Sequence, residues 1–251
     1  NTTPSEQYWT SSAAFVITPS ASITTVDITG SLNVLGTQTI GPSLAVGVYS
    51  VAQGNNAQAY GDYSHAEGLN TYTSNDACHA EGAGTSASGQ YSHAEGWNTD
   101  ASGPRGHAEG YLTRAWGNAA HAEGDATFAS GSGAHSEGLD THANGDWSHA
   151  EGNASYANAY TSHAEGRNNY ANGDYSHVEG FNNQCIAYIG HVGGYNNYLA
   201  DTATGSAMIA ISSSTGTEQW TLYTNNINAI GSVTITGSII NNDYTAVSQS
   251  I

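Results

Sequence analysis

The segment Ser-His-Ala-Glu-Gly occurs four times in the chain, at residues 64–68, 92–96, 148–152 and 162–166. Imidazole and carboxylate groups are the usual groups of general acid–base catalysis and are common metal ligands. Either chemistry needs several such groups to converge in one assembled pocket. Equivalent copies spaced along the chain form a ladder instead, which indicates a structural unit that is used many times.

The His-Ala-Glu part of the motif also matches the first half of the zinc-deaminase signature, whose second half is Pro-Cys-x-x-Cys. The chain has two cysteines, Cys78 and Cys185, and neither follows a proline. We therefore predict that the protein is not an enzyme and has no catalytic residues. We also predict no metal and no cofactor, because a regular glutamate neighbour would already satisfy each histidine.

The histidines follow a strict 14-residue period from His65 to His191, and only His142 lies off it. In the first nine copies a glutamate follows two residues after the histidine. Such a fixed short period predicts a solenoid, in which one structural unit stacks on the next. The nine repeated pairs, called the His–Glu ladder below, are His65, His79, His93, His107, His121, His135, His149, His163 and His177 with Glu67, Glu81, Glu95, Glu109, Glu123, Glu137, Glu151, Glu165 and Glu179.

Fourteen residues are also two heptads, so a coiled coil is the alternative architecture. Each period carries glycines, which cost about 1 kcal/mol each in a helix interior, and no apolar seam is present. The alternation of small and large residues in the motif matches the period of two of a β-strand. A second alternating stretch follows, as in residues 98–102, and glycine with Ser, Asn or Asp suits the bends. We predict an all-β solenoid with two short strands and two bends per turn, stacked at about 4.8 Å.

Large aliphatic residues are scarce, with no Ile or Val between Val51 and Val178. This composition predicts a thin interior of Ala, Ser and Thr, in which Cys78 and Cys185 are small buried fillers. Seven to eight turns separate the two cysteines, roughly 35 Å at strand spacing, which is too far for a disulfide. A roll this thin buries little apolar surface, so we expect it to need partners.

The charge balance excludes two classes of partner. The chain has 21 acidic residues, three arginines and no lysine, for a net charge of −18. A basic face for nucleic acid is missing, and no apolar run approaches the length of a membrane span. We therefore predict neither nucleic-acid binding nor membrane insertion.

Aromatic residues recur in three columns, which lie four residues after, seven residues after and two residues before the periodic histidine. We call these the first, second and third aromatic columns. Two interpretations stay open: stacked rings that cover neighbouring turns or subunit seams, or platforms for sugar rings or a receptor protein. The candidate ligand-binding residues are Trp97, Tyr111, Phe181, Tyr195, Tyr72, Tyr156 and Tyr170.

The repeats resemble the YadA-like head repeats of trimeric autotransporter adhesins, which also occur in phage tail fibres. Residues 43–47 (SLAVG) and 50–54 (SVAQG) are similar to the Ser-Val-Ala-Ile-Gly strand of that family, and SHAEG resembles the variant common in phage-encoded fibres. The resemblance covers about residues 43–200. It implies a left-handed parallel β-roll, three rolls side by side in a homotrimer, and a role in surface attachment.

The resemblance also turns the His–Glu face toward the neighbouring chains, although family copies often carry aliphatic residues in those positions. We predict that His and Glu of adjacent chains pair in rings, layer after layer, and fix the register of the trimer. An outward-facing, solvated ladder is the alternative.

The two flanks leave the 14-residue period and regain Ile, Val and Leu. We predict an N-terminal β-rich shaft segment (1–42), the β-roll (43–200) and a C-terminal β-rich shaft segment (201–251). The predicted function is a structural and adhesive segment of a trimeric fibre, most simply a phage or virus tail fibre or spike on the virion surface that takes part in host attachment. The alternatives are the head of a bacterial cell-surface adhesin and a self-assembling extracellular filament. Expected partners are the homotrimer, neighbouring fibre segments and a host-surface glycan or protein receptor.

Overall fold

The structure is a computed structural model that describes residues 38–200 and 208–212. Within these residues the chain is all-β and forms a β-solenoid of about 11 turns with 14-residue spacing. The predicted shaft segments lie mostly outside the described residues. The described part of the chain contains no helix with the length and apolar character needed to cross a membrane.

Each regular turn contributes one strand to each of two parallel sheets. The strands are β1 (Gln38–Ile40), β2 (Leu44–Ala45), β3 (Val51–Asn55), β4 (Gln58–Ala59), β5 (His65–Leu69), β6 (Tyr72–Thr73), β7 (His79–Ala83), β8 (Ser86–Ala87), β9 (His93–Trp97), β10 (Asp100–Ala101), β11 (His107–Tyr111), β12 (Arg114–Ala115), β13 (His121–Asp125), β14 (Phe128–Ala129), β15 (His135–Leu139), β16 (His142–Ala143), β17 (His149–Asn153), β18 (Tyr156–Ala157), β19 (His163–Ala164), β20 (Tyr170–Ala171), β21 (His177–Val178), β22 (Gln184–Cys185), β23 (Gly190–Gly194), β24 (Tyr198–Leu199) and β25 (Met208–Ser212). The odd-numbered strands form a 13-stranded sheet, the first sheet, and the even-numbered strands form a 12-stranded sheet, the second sheet.

Neighbouring turns stack in register, so that a residue lies beside its equivalent in the next turn. The pairing of β11 with β13 places His107 beside His121 and Glu109 beside Glu123. The second sheet follows the same rule, with Ala115 of β12 beside Ala129 of β14. The 14-residue period of the sequence is therefore the pitch of the solenoid, as predicted.

The interior between the two sheets is filled by small side chains. Ala108 on the first sheet and Ala115 on the second are fully buried, and one buried cluster contains alanines of both sheets. Buried Thr and Ser complete each layer, as at Thr113. Cys78 and Cys185 are buried free thiols, so the predictions of a thin Ala, Ser and Thr interior and of cysteine fillers are confirmed.

Two left-handed bends close each turn, and most of them carry residues other than glycine. In one turn these are Arg105 (φ 58°) and Leu112 (φ 57°), and the equivalents recur every 14 residues. Residues other than Gly, Asn and Asp rarely adopt this left-handed conformation, because their Cβ atom comes too close to the backbone. The third aromatic column occupies one of these bends with Tyr63, Tyr91, Trp147 and Tyr175.

Each letter of Ser-His-Ala-Glu-Gly has a separate structural role. In the copy at 148–152, the Ser148 hydroxyl donates to the Gly145 carbonyl at 2.6 Å and closes the bend. Ala150 is buried in the core, while the imidazole and carboxylate on either side point away from it. Gly152 has a φ of 98°, and a Cβ there would lie 2.1 Å from the carbonyl oxygen of Gly166 in the next turn. The five residues of the motif therefore form the end of one bend and most of the first-sheet strand that follows it.

Gly124→Ala tests the need for glycine after the ladder glutamate. Its φ is +113°, and a Cβ would lie 2.2 Å from the Gly138 carbonyl oxygen, so both the backbone conformation and the stacking of turns must yield. We expect the free energy of unfolding to fall by about 3 kcal/mol or more, measured by urea unfolding followed by circular dichroism.

Gly84→Ala is the matched control, because its φ is +69° and the nearest atoms to a Cβ are 3.7 Å away. Ala126 already occupies the same bend three turns later, with a φ of 54°. We expect a loss of about 1 kcal/mol. Equal losses in the two variants would contradict the role given to Gly124.

Candidate functional site

The ten periodic histidines form one continuous stack on the outer face of the first sheet, from His65 to His191. Neighbouring ring centroids are 4.7–4.9 Å apart, and neighbouring ring planes are within 12° of parallel. The parallel register produces this stack, since each ring stands beside the equivalent ring of the next turn. A side chain such as His107 is 38% exposed, so the stack is only half covered by its own chain.

The glutamates form a second column beside the histidines. In the turns from His65 to His149, a glutamate Oε2 lies 3.6–3.9 Å from the Nε2 of the histidine two residues earlier. These separations exceed the N···O distance of a hydrogen bond, about 2.7–3.2 Å. The contacts are made within one chain, and the pairing between chains stays a prediction.

The pairing changes toward the C-terminal end of the ladder. The Glu165 carboxylate lies 3.5 Å from His177, in the following turn, and Glu179 lies 3.4 Å from His191. In the same turns the buried Thr position is taken by asparagine. The Asn169 amide donates to the backbone carbonyl of Glu165, and the first-sheet strand β19 has only two residues. The asparagine core and the next-turn contacts occur together in these turns, although Glu123 also reaches His135 of the next turn at 3.8 Å beside a buried threonine.

The ladder ends where its residue types change. In the turn before His65, Val51 and Gln53 occupy the histidine and glutamate positions. At the other end Gly193 occupies the glutamate position, and a Cβ there would lie 3.0 Å from the Glu179 carboxylate. The glutamate column is therefore followed at each end by an uncharged residue.

Neighbouring carboxyl groups of the glutamate column shift one another's pKa values. Hydrogen bonds with Glu123 and Glu151, with a contribution from burial, raise the pKa of Glu137 to about 7. A hydrogen bond with Glu123 also raises the pKa of Glu109. The pKa of Glu123 is lowered, because it receives hydrogen bonds from both neighbours. The column therefore ionises unevenly along its length.

Burial lowers the pKa of several ladder histidines, and repulsion from adjacent imidazoles lowers it further. Because these imidazoles resist protonation, they balance little of the glutamate charge at neutral pH. The ladder face is consequently acidic. The histidines with a lowered pKa for these reasons are His79, His107, His121, His149 and His163.

An open groove of about 660 Å³ runs along the glutamate column. Its walls are carboxylate side chains and its floor is the backbone of the glycines that follow them. Because glycine has no side chain, small groups can approach this backbone closely. The lining residues are Glu95, Glu109, Glu123, Glu137, Glu151, Gly110, Gly124, Gly138, Gly152 and Gly166.

The second aromatic column forms a stack on the outer face of the second sheet, away from the ladder. Phe128, His142, Tyr156 and Tyr170 follow one another with ring centroids 4.6–4.9 Å apart. The Arg114 guanidinium caps this stack, 4.7 Å from the Phe128 ring centroid. His142, the one histidine off the period, is thus an aromatic member of this column. Tyr156 and Tyr170 are half-buried in the stack.

The first aromatic column lies on the first sheet and forms separate pairs. Trp97 and Tyr111 stack with centroids 4.7 Å apart and planes 5° from parallel, and they are 50% and 44% exposed. Phe181 and Tyr195 form a second pair at 5.3 Å. Tyr72 belongs to the second column and is in neither pair; its ring centroid lies 5.7 Å from that of Tyr60. The predicted ligand-binding residues therefore occupy two faces and form no single cluster.

The column analysis missed several exposed aromatic residues, among them Trp116. Trp116 is 50% exposed, and its indole N–H donates to an Asp100 carboxylate oxygen at 2.9 Å. The equivalent residues one turn before and one turn after are Ser102 and Ser130. A search for recurring aromatic residues cannot find a position that is aromatic only occasionally. In the sequence, Trp116 could have been noticed only from its position two residues after Arg114.

Comparison with known proteins adds no relative to this geometry. No sequence model of a known protein family matches the chain, and a search among curated proteins finds no match either. The resemblance to YadA-like repeats therefore rests on the repeated residues themselves.

The pKa shifts predict a stability that rises toward neutral pH and then levels off. A histidine with a lowered pKa in the folded chain destabilises the fold as pH falls below its unfolded value of 6.5. Glu137 has a raised pKa in the folded chain, so its contribution is lost as pH rises from 4.5 to about 7, and it opposes the histidine effect in that range. Because more histidines than glutamates are shifted, we expect the melting temperature to rise from about pH 4.5 to 6.5 and to level off above pH 7.

Differential scanning calorimetry across this range checks the profile. Glu137→Gln should make the rise between pH 4.5 and 7 steeper, because the amide cannot ionise and the opposing loss disappears. Gln53 already occupies this column position in an early turn, so the substitution suits the local structure. An equal rise in the variant and the unmodified chain would contradict the raised pKa of Glu137.

Proposed function

We propose that this chain is a structural and adhesive segment of a trimeric extracellular fibre, and that the fibre is a phage or virus tail fibre or spike used in host attachment. The observation that supports this proposal is the uninterrupted, in-register solenoid of about 11 turns. Such a shape is long and uniform, as a fibre segment requires. It also presents the same outer positions at every turn, which suits repeated lateral contact.

The thin core supports assembly with further copies. Apart from Val178 and Val192, the described fully buried side chains are Asn, Thr, Cys and smaller. Hydrophobic stabilisation is about 25 cal/mol per Å² of apolar surface buried, so alanine layers contribute little each. Side-by-side packing of rolls adds burial along the whole length.

The His–Glu face is the face that we assign to the subunit contact. It combines a half-exposed imidazole stack with an acidic groove that a neighbouring chain can enter. The Nε2 atoms point toward carboxylates of their own chain. Contacts between chains would therefore use the exposed remainder of each ring and the outer carboxylate oxygens.

The exposed pair Trp97 and Tyr111 is the best-placed surface for a ligand. The two rings cover each other's inner faces, and the small Ala83 beside Trp97 in the preceding turn leaves the outer face of the indole open. An open aromatic face suits the face of a sugar ring. The half-buried stack of Tyr156 and Tyr170 is packed against its own neighbours. We therefore assign host-surface glycan recognition to the first column and a structural role to the second.

Light scattering of the purified chain tests the assembly. The expected mass is about three times the 25.9 kDa of one chain. His107→Ala combined with His121→Ala should raise the trimer dissociation constant at least about tenfold, or about 1.4 kcal/mol, because two adjacent layers of the contact are lost.

Asp125→Ala is the control for this experiment, since it removes an exposed charge without touching the ladder. We expect it to leave the dissociation constant nearly unchanged. A stable monomer at micromolar concentration, or equal effects of the two variants, would refute the proposed assembly.

A glycan array tests the adhesive part of the proposal. Trp97→Ala with Tyr111→Ala should weaken binding of the purified chain at least about tenfold, roughly 1.4 kcal/mol, while the melting temperature changes little. Trp147→Ala is the control, because this bend residue is 63% exposed but has no place in the pair. If melting falls steeply and binding per folded molecule is intact, the pair is structural and the glycan assignment is wrong.

A further inference from the structure

Eight ladder histidines carry a ring nitrogen that lacks a hydrogen bond. From His79 to His177, each Nε2 has less than 1 Å² of exposed surface and no hydrogen-bond partner among the described residues. A shielded polar atom without a partner is unfavourable. Eight of them in one column form a regular feature that the fold alone does not require.

The surrounding carboxylates lie at a spacing typical of two ligands on one metal ion. Zn²⁺ binds imidazole nitrogen at about 2.0–2.1 Å and carboxylate oxygen at about 2.0–2.2 Å, so two ligands at a tetrahedral angle are about 3.4 Å apart. The ladder N···O separations are 3.4–3.9 Å. An ion between them would bond to a nitrogen that water cannot reach. The prediction of no metal assumed that glutamate satisfies each histidine. Only His191 makes such a hydrogen bond, a long one of 3.4 Å with Glu179, and the eight nitrogens from His79 to His177 have none.

Between Glu109 and His191 there are five sets of three side chains whose ligand atoms lie within 4.8 Å of one another. Each set joins neighbouring turns, so an ion bound there would link one turn to the next. Three sets have two glutamates and one histidine, and two sets have two histidines and one glutamate. The sets are Glu109, His121 and Glu123; Glu123, His135 and Glu137; Glu137, His149 and Glu151; His163, Glu165 and His177; His177, Glu179 and His191.

The chain supplies little positive charge of its own to this column. It has no lysine and three arginines. The Arg105 guanidinium donates to Asn118, and Arg114 and Arg167 lie over aromatic rings. The arginines therefore lie on other groups and do not neutralise the stacked carboxylates.

We propose that the His–Glu ladder binds Zn²⁺ as a linear array along the solenoid. Mixed imidazole and carboxylate ligands suit Zn²⁺, whereas Mg²⁺ and Ca²⁺ prefer oxygen ligands alone. All ligands of each set come from one chain, so the site does not depend on the fibre function proposed above. Glu123, Glu137 and His177 each belong to two of the five sets. At most three sets can be filled without sharing a ligand, which fixes the expected stoichiometry at three ions per chain.

Equilibrium dialysis of the full chain against ZnCl₂, with metal measured by mass spectrometry, tests the proposal. We expect about three Zn²⁺ per chain, as the unshared sets require, and no comparable binding of Mg²⁺ or Ca²⁺ at the same concentration. His149→Gln should lose one ion, because it destroys one set and the remaining sets can hold only two ions without sharing a ligand. His177→Gln should also lose one ion, because it destroys both C-terminal sets, of which only one can be filled at a time. Substoichiometric zinc, or equal binding of Mg²⁺, overturns the proposal.

His79→Gln is the matched control, since it changes the same column at a turn that belongs to none of the five sets. It should retain all three ions. If its loss equals that of His149→Gln, the zinc is held by diffuse charge and the assigned sets are wrong.

X-ray absorption spectroscopy of the zinc-loaded, unmodified chain makes the test independent of how the variants fold. Imidazole scattering together with oxygen ligands at about 2.0–2.2 Å supports the proposal. A shell of oxygen alone overturns it.

Discussion

The parallel stacking of identical positions every 14 residues is the constraint on which the structure depends. In a parallel, in-register sheet, each side chain has its own equivalent above and below it at strand spacing. Any property of one position is thereby multiplied along a column. Alanine on alanine closes the core, imidazole on imidazole forms a stack, and carboxyl beside carboxyl shifts pKa values.

The thin interior and the charged exterior have a common origin in this stacking. Two sheets that approach closely leave room for alanine but not for leucine, so the turns are held mainly by backbone hydrogen bonds and by contacts within columns. The glycine after each glutamate allows one backbone to pass directly over the next. The turns then lie close enough for the outer groups to interact, which they do through ring stacking on both sheets.

Sequence reasoning could predict the parts that depend on period and side-chain size. The solenoid, two strands per turn, the Ala, Ser and Thr core and the buried cysteines follow from spacing and from the scarcity of aliphatic residues. The left-handed bends at Tyr63 and Trp147 could not be predicted, because large aromatic residues disfavour that conformation locally and the stacked turns impose it. The contact of Glu165 with His177 of the next turn could not be predicted either, because only the stacked turns bring the two side chains together. The separation of the aromatic columns onto two faces likewise required knowledge of where each bend lies.

The even spacing of the ladder makes it a one-dimensional lattice of charge sites. A proton or an ion on one rung changes the free energy of occupation at the adjacent rungs far more than at distant ones, because Coulomb interaction weakens with distance and with screening. Occupation of neighbouring rungs is then anticorrelated, and rungs separated by one or more turns fill first. Such a lattice responds gradually over a wide range of conditions instead of switching at a single threshold. The repeat that gives the molecule its regular shape thus also makes the uptake of protons or ions by its charged face gradual.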